Sequence, residues 1–164
     1  MTESMLVKFF EHNNWANSQI MHACTTLTDE QLDADPQSVT KGSIRLTWVH
    51  LVASQRAYLS LLTLPVESRL DTPLAFAELQ ESVRISGEGL LDLAREESNK
   101  PMNTKLQTKD GYYVEPWVVM LQAINHATEH REQIKSMLCA LGITPPDIDG
   151  WNYAEFKNAL IPME

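Results

Sequence analysis

Apolar residues recur every three to four positions over most of the chain, and this period predicts a protein built from helices. The first stretch, from about Ser4 to Cys24, carries an apolar stripe at this spacing on Met5, Phe9, Ala16 and Ile20. Thr28 and Gln31 have the spacing of a capping box, which predicts a short helix immediately afterwards. No internal repeat or low-complexity linker interrupts the pattern.

Two further long helices are predicted before the middle of the chain. One begins after Ser43, a suitable N-cap, and ends at Leu64 because Pro65 follows. The next begins at Pro73, since proline is favoured at the first helical position, and reaches about Ser98. Two glycines weaken the middle of this helix by up to ~1 kcal/mol each, so we expect a bend there, at Gly87 and Gly89.

The helical period disappears before the last long helix. Residues 106–114 have two short extended arms around Asp110-Gly111, which predicts a small hairpin or an ordered loop. A fourth long helix is predicted from Pro116 to Gly142, with glycine just past its C-terminus. A last short helix is expected over residues 152–159.

These elements predict an all-α fold, a four-helix bundle with a short hairpin or loop between helices three and four and a short C-terminal helix. The 164 residues are enough for one domain with a hydrophobic core, so we expect a single domain over residues 1–164. Hydrophobic residues make up 43% and charged residues 21%, a balance that favours a globular chain over a disordered one.

The net charge and the cysteine content limit which kinds of partner the protein is expected to bind and in which compartment it is expected. The net charge is −9 and the 13 Lys and Arg are scattered, which argues against a nucleic-acid partner. No apolar stretch approaches the ~20 residues of a membrane-spanning helix, and the N-terminus does not resemble a signal peptide. We therefore expect a cytoplasmic protein, in which Cys24 and Cys139 are reduced thiols of the core.

Two histidines on the fourth long helix are the strongest chemical signal. His126 and His130 are four residues apart, so they lie about 40° apart around a helix and can converge on one ion. The expected buried residues of the same face are Val119, Ala123, Ile134 and Met137. Two core histidines satisfied by hydrogen bonds are the alternative, but ligand spacing on an inward face favours a metal site.

His50 is the candidate third ligand. Its neighbours one turn away form a face that we expect to point inward, with small residues beside the ring: Leu46, Thr47, Ala53 and Ser54. Taken alone, His50 is equally consistent with an ordinary core histidine. Three histidine ligands leave a position for water or substrate, which is the pattern of catalytic zinc sites. His12 and His22 are weaker candidates, for which a hydrogen-bonded or surface histidine is expected.

Other known site types are disfavoured by spacing. A ferritin-like di-iron bundle needs Glu-x-x-His pairs, and no histidine here has an acidic residue three positions before it. His126, Glu129 and His130 do match H-x-x-E-H, in which the Glu is a general base. We interpret this match as coincidental, because those peptidases are larger α/β proteins and only residues 131–164 follow here. Glu129 remains a candidate base or outer residue of the site.

Several motifs together resemble one known family, the DinB-like, damage-inducible metal-binding bundles. The resemblance covers nearly the whole chain and is carried by residues in the family's order and spacing. They are Asn14-Trp15-Ala16-Asn17, His50, Asp110-Gly111 before Trp117, the block Asn125-His126-Ala-Thr-Glu-His130-Arg131-Glu132-Gln133, then Leu141-Gly142 and Pro145-Pro146-Asp147.

The resemblance implies a four-helix bundle that holds one divalent ion (Zn, Ni or Fe) through His50, His126 and His130, usually in a homodimer. The wider superfamily includes thiol-dependent S-transferases and a mycothiol-dependent maleylpyruvate isomerase, in which the metal activates a low-molecular-weight thiol. This chain departs from the family at two positions. Glu129 stands where the family often has another His, and Glu132 stands where Gly is common in the family. Both add negative charge near the site, which disfavours an anionic substrate and a thiol partner of the family's usual kind.

Three functions remain open from the sequence. The first is an enzyme whose metal activates a thiol or water for a small-molecule substrate, with Glu129 as the base if the reaction is hydrolysis. The second is a non-catalytic metal or small-molecule binding protein of a stress response. In the third, the ion only stabilises the fold.

Overall fold

The computed structural model describes residues 4–36, 42–69, 72–97 and 104–163. These residues form mainly α-helix with one small antiparallel sheet, which confirms the predicted all-α class. The helices are α1 (Met5–Cys24), α2 (Asp29–Asp33), α3 (Ile44–Thr63), α4 (Leu79–Glu97), α5 (Pro116–Ala140) and α6 (Gly150–Phe156). The strands are β1 (Leu106–Gln107) and β2 (Tyr113–Val114), and short 3-10 turns cover Val66–Ser68 and Phe76–Glu78.

Local capping explains where most helices begin. The Ser4 hydroxyl accepts a hydrogen bond from the Val7 N–H at the start of α1, and the Ser43 hydroxyl does the same for α3. Thr28 forms the predicted capping box with Gln31 at the start of α2. These contacts satisfy backbone N–H groups that have no partner within the helix, so the starts predicted from the sequence are confirmed.

The start predicted for the third long helix is wrong. The sequence placed it at Pro73, whereas α4 begins at Leu79, after a 3-10 turn. The preceding chain is extended, with Ala75 at φ −73° and ψ 147°. The Phe76 ring packs against the core and lies 4.5 Å from the guanidinium carbon of Arg45 on α3. This tertiary packing holds the segment against the bundle and overrides the local preference for helix at proline.

The two glycines of α4 serve close helix packing, and the helix continues through both of them. A Cβ on Gly87 would lie 2.6 Å from the Asn14 Oδ1 of α1, and a Cβ on Gly89 would lie 2.7 Å from the Leu59 Cδ2 of α3. The absence of a side chain therefore lets neighbouring helices approach closely. The predicted end of this helix, near Ser98, lies outside the described residues.

The four long helices pack around two sets of buried apolar side chains. The most extensive contacts between the long helices run in the cyclic order α1, α4, α3, α5. The largest fully buried side chains are Trp48, Phe10, Ile20, Ile44, Leu51, Leu79, Leu90, Ile134, Met137 and Leu138. This arrangement places α3 beside α5, the two helices that carry the candidate ligands. No described helix is long and apolar enough to cross a membrane.

The two cysteines differ in environment. Cys24 is buried at the end of α1, where the Trp48 indole N–H donates to its sulfur at 3.4 Å. Burial raises the pKa of the Cys24 thiol. Cys139 is exposed on α5, so the expectation of two core thiols is wrong for Cys139. Both cysteines are free, as the sequence predicted.

Candidate metal centre

The three histidines selected from the sequence come together between α3 and α5. His126 Nε2 lies 3.0 Å from His50 Nε2 and 3.0 Å from His130 Nε2. Of the described residues, these three form one group whose ligand atoms all lie within 4.8 Å of one another. His126 is therefore the central member of the cluster, with one histidine on either side.

The cluster is covered on one side and accessible on the other. His130 is only 5% exposed, whereas His50 and His126 are partly exposed. The residues predicted to share the inward face of α5 are all buried: Val119, Ala123, Ile134 and Met137. On α3, Thr47 is buried as expected, but Leu46 is 57% exposed, so its predicted inward position is wrong. His50 is partly exposed, so it lies near the edge of the bundle.

A hydrogen bond fixes the orientation of His130. Its Nδ1 lies 2.7 Å from the side-chain oxygen of Gln133, one turn further along α5. Because an amide oxygen only accepts, Nδ1 carries the proton and Nε2 presents its lone pair to the cluster. Histidine ligands of metal sites are oriented in this way by a partner on the second ring nitrogen.

The donor set fits a divalent ion. Neutral imidazole nitrogens at these distances can share a hydrogen bond, and nitrogens whose lone pairs all face one point can instead hold a cation between them. At the ~2.0–2.1 Å bonds of tetrahedral zinc, ligand nitrogens are about 3.3 Å apart, close to the 3.0 Å separations observed. Small side-chain shifts therefore suffice. Imidazole ligands suit Zn, Ni and Fe, and the donor set does not select among them.

Tyr58 is a residue of the site that sequence reasoning missed. Its ring lies edge-on to His126, with centroids 5.8 Å apart and planes at 82°. Burial raises the Tyr58 pKa, a hydrogen bond with Gln122 lowers it, and the charge of Glu129 raises it. The available signal was its position on α3, about two turns after His50 and on the same side.

Glu129, the candidate base, is exposed and does not belong to the group of close ligand atoms. Its electrostatic effect reaches Tyr58 instead. The structure therefore places Glu129 at the rim of the site.

A buried arginine lies directly after His130. Arg131 is 2% exposed, and its Nη1 donates to the side-chain oxygens of Asn13 at 2.7 Å and Asn17 at 2.8 Å. Its Nη2 donates to the Thr128 hydroxyl at 2.9 Å. Burial lowers the pKa of Arg131 to about 10, so the guanidinium stays charged at neutral pH. Its neutral partners tie α5 to α1 beside the histidine cluster.

The same polar network continues across the bundle. Asn17 donates to the Gln55 side-chain oxygen at 3.1 Å, and Gln55 donates to the Val83 carbonyl at 2.9 Å and the Ser86 hydroxyl at 2.8 Å. Side chains from α1, α3, α4 and α5 are thus joined in one buried chain of hydrogen bonds. Asn17 and Arg131, both parts of the sequence motifs, stabilise the alignment of the helices and contact none of the three histidines through the bonds described.

The two weaker histidine candidates lie away from the cluster. His12 Nε2 donates to the Ile148 carbonyl at 2.8 Å, and its ring packs against Trp15 and Tyr153. His22 is exposed. Both match the expected roles of a hydrogen-bonded and a surface histidine.

Comparison with known proteins supports the resemblance noted in the sequence. No curated protein matches the chain significantly. The model of the DinB family matches residues 1–162, which is nearly the full length and includes His50, His126 and His130. The chain therefore belongs to the DinB family.

Proposed function

We propose that the protein is a metal-dependent enzyme that holds one divalent ion through His50, His126 and His130 and activates a thiol or water. One observation carries this proposal. Three Nε2 atoms converge, with His126 Nε2 3.0 Å from each of the others, in a cluster that is buried on the His130 side and accessible on the His50 side.

The ion supplies the positive charge that lowers the pKa of a thiol or of water. The protein supplies orientation. Gln133 fixes the ring of His130, and the packing of α5 holds His126 one turn before it. Tyr58 and Gln122 place a hydroxyl and an amide beside His126, where they can hydrogen-bond a small molecule that enters from the open side.

Thiol S-transfer is the reaction class that we favour, with a low-molecular-weight thiol as the nucleophile and an electrophilic small molecule as the substrate. Such a reaction needs no carboxylate within the ligand group, and none is present among the described residues. The thiol would lose its proton to solvent, its sulfur would form a bond to the substrate carbon, and the bond from that carbon to a leaving group would break, with the leaving group taking the electron pair.

Hydrolysis is the second candidate. Here the Glu129 carboxylate accepts the proton of an attacking water, and its position beside Tyr58 at the rim supports this role. A side-chain rotation would be needed to bring the exposed carboxylate to the cluster. A binding protein without turnover would use the same histidines, so product formation separates the enzyme from the binder.

The first experiment measures metal content of the untagged protein by inductively coupled plasma mass spectrometry. We expect about one divalent ion per chain in the wild type and none in His126→Ala, because His126 is central to the cluster. His22→Ala is the matched control, since His22 is exposed and remote from the cluster. Equal metal content in the wild type and His126→Ala would overturn the proposed site.

The second experiment tests thiol activation with the cobalt(II)-loaded protein. Addition of a small thiol such as N-acetylcysteine should produce a sulfur-to-cobalt charge-transfer band, followed by a thioether product when an electrophile is supplied. A band without product identifies a binding protein. Release of a hydrolysis product that depends on Glu129, without a thiol band, identifies a hydrolase.

Homodimer formation and a cytoplasmic location are further parts of the proposal. Large side chains are exposed on the hairpin and the first turns of α5, and their burial between two copies would stabilise a dimer: Tyr112, Tyr113, Trp117 and Leu121. Light scattering after gel filtration gives the mass directly. Leu121→Glu should convert a dimer of this kind to a monomer.

A further inference from the structure

A cavity lies between α3 and α4, on a different face of α3 from His50. It has a volume of about 450 Å³, within the range of small-molecule sites. Four of its ten lining residues are apolar, and the other six are four hydroxyl residues, one arginine and one glutamate. We call it the Arg56 groove, and the residues used below are Arg56, Ser60, Thr72, Ser82 and Ile85.

Arg56 differs from the other arginines in its partners. Carboxylates pair with Arg45, Arg84 and Arg95. Backbone carbonyl groups accept hydrogen bonds from Arg69, and buried amide oxygens accept those from Arg131. In the described residues, the one hydrogen bond of Arg56 runs to the Thr72 carbonyl at 3.5 Å, the limit of such a contact. The guanidinium fork is therefore available for an anion, although the whole chain carries a net charge of −9.

Hydroxyl groups surround this guanidinium. Ser60 lies one turn after Arg56 on α3, Ser82 lies opposite on α4, and Thr72 lies on the segment that precedes α4. The hydroxyls of these three residues have no hydrogen-bond partner in the part of the chain that the structure describes. Ser86 forms the floor, where its hydroxyl is occupied by the Ser82 carbonyl and by Gln55.

Apolar walls complete the groove. Ile85 is 53% exposed there, and Leu59, Leu74 and Pro73 add further apolar surface. Glu78 also lines the groove, but its carboxylate accepts the Ala75 N–H at 3.0 Å. One cation, free hydroxyls and an apolar wall are complementary to a molecule with a carboxylate at one end and a hydrocarbon body at the other.

We propose that the Arg56 groove binds a small organic acid, with its carboxylate on Arg56 and the neighbouring hydroxyls and its hydrocarbon body against Ile85. This site is separate from the histidine cluster, and its occupant needs no metal. The proposal is therefore independent of the reaction assigned to that cluster.

The test titrates octanoate into ¹⁵N-labelled protein and follows backbone amide shifts by NMR. We expect saturable shifts at Ser60, Ser82 and Ile85, and about tenfold weaker binding by Arg56→Gln because the charge-assisted hydrogen bonds are lost. Arg84→Gln is the matched control: it removes the same charge from an exposed ion pair on α4 and should bind like the wild type. Melting temperatures verify that both variants fold.

Two further probes test the carboxylate contact and the apolar contact separately. Octanol should bind more weakly than octanoate, and inorganic phosphate should produce smaller shifts than octanoate. Ile85→Glu should weaken octanoate binding through both repulsion and loss of apolar contact. Equal binding of octanol and octanoate, preference for phosphate, or unchanged affinity in Arg56→Gln would overturn the assignment.

Discussion

His130 Nδ1 and Gln133 Oε1 are 2.7 Å apart across one turn of α5, and this contact sets which nitrogen of His130 faces the cluster. Gln133→Leu removes the acceptor but keeps a side chain of similar size. We expect metal affinity to fall by about 10- to 100-fold, because the ring is no longer held in one orientation. Competition with a chromophoric chelator measures the affinity, and Gln80→Leu on the exposed surface is the control. Unchanged affinity in Gln133→Leu would show that the contact is dispensable.

Arg131→Ala should lower the free energy of unfolding by about 3 kcal/mol or more, because it leaves the buried oxygens of Asn13 and Asn17 without a donor. Urea unfolding followed by circular dichroism measures the change. Arg95→Ala removes an equal charge from an exposed pair with Asp92 and should leave stability nearly unchanged.

The pH dependence of the Arg131→Ala effect follows from the lowered pKa of Arg131, about 10 in the folded state. Below that pH both the folded and unfolded states keep the proton, so the difference in stability stays constant. Above it the folded state releases its proton first, and the wild type gains stability relative to the variant as the pH rises. If the difference in the free energy of unfolding between the wild type and Arg131→Ala became smaller between about pH 9 and pH 6, this account would be contradicted.

Glu129→Gln should lower the pKa of Tyr58 in the metal-free protein, because the charge of Glu129 disfavours the phenolate. NMR of ¹³C-labelled tyrosine follows the titration. Glu132→Gln removes the same charge three residues away, from a side chain that pairs with Lys135 at 3.1 Å, and should leave the Tyr58 pKa unchanged. An equal shift in both variants would mean that the effect is a general one of net charge.

Cys139 should react with iodoacetamide in the native protein, whereas Cys24 should react only after unfolding. Cys139 is exposed, while burial of Cys24 raises its pKa and reduces the reactive thiolate fraction. Peptide mass spectrometry distinguishes the two sites. The unfolded state releases the Cys24 proton first as the pH rises above ~8.5, so the wild type should lose stability there relative to Cys24→Ala. Rapid native labelling of Cys24 would contradict its burial.

The sequence was sufficient for most of the architecture because local signals specify it. Ser4, Thr28 and Ser43 accept hydrogen bonds at the starts of three helices, as their residue types predict. The start of α4 was not predictable in this way. It depends on the contact of Phe76 with Arg45, two residues 31 positions apart, and no local pattern reports such a contact.

The candidate site was predictable to a similar extent. The i, i+4 spacing of His126 and His130 places them on one face, and the choice of His50 as their neighbour agrees with the observed cluster. The spacing from His50 indicated only the side of α3 on which Tyr58 lies, and no spacing indicated the burial of Arg131. A tyrosine on α3 contacts α5 only once the helices pack, and an arginine is usually expected on the surface.

The hydrogen-bond network from Arg131 to Ser86 has a consequence for how an ion enters and leaves. Because it joins all four long helices without help from the histidines, we expect the bundle to keep its fold when the three histidines hold no ion. We therefore expect an ion held by the histidines to exchange by side-chain rearrangement near the partly exposed His50, with the bundle intact. We expect a chelator to remove the ion without unfolding the protein. The ion would then take part in the chemistry of the site and would not be needed for the fold.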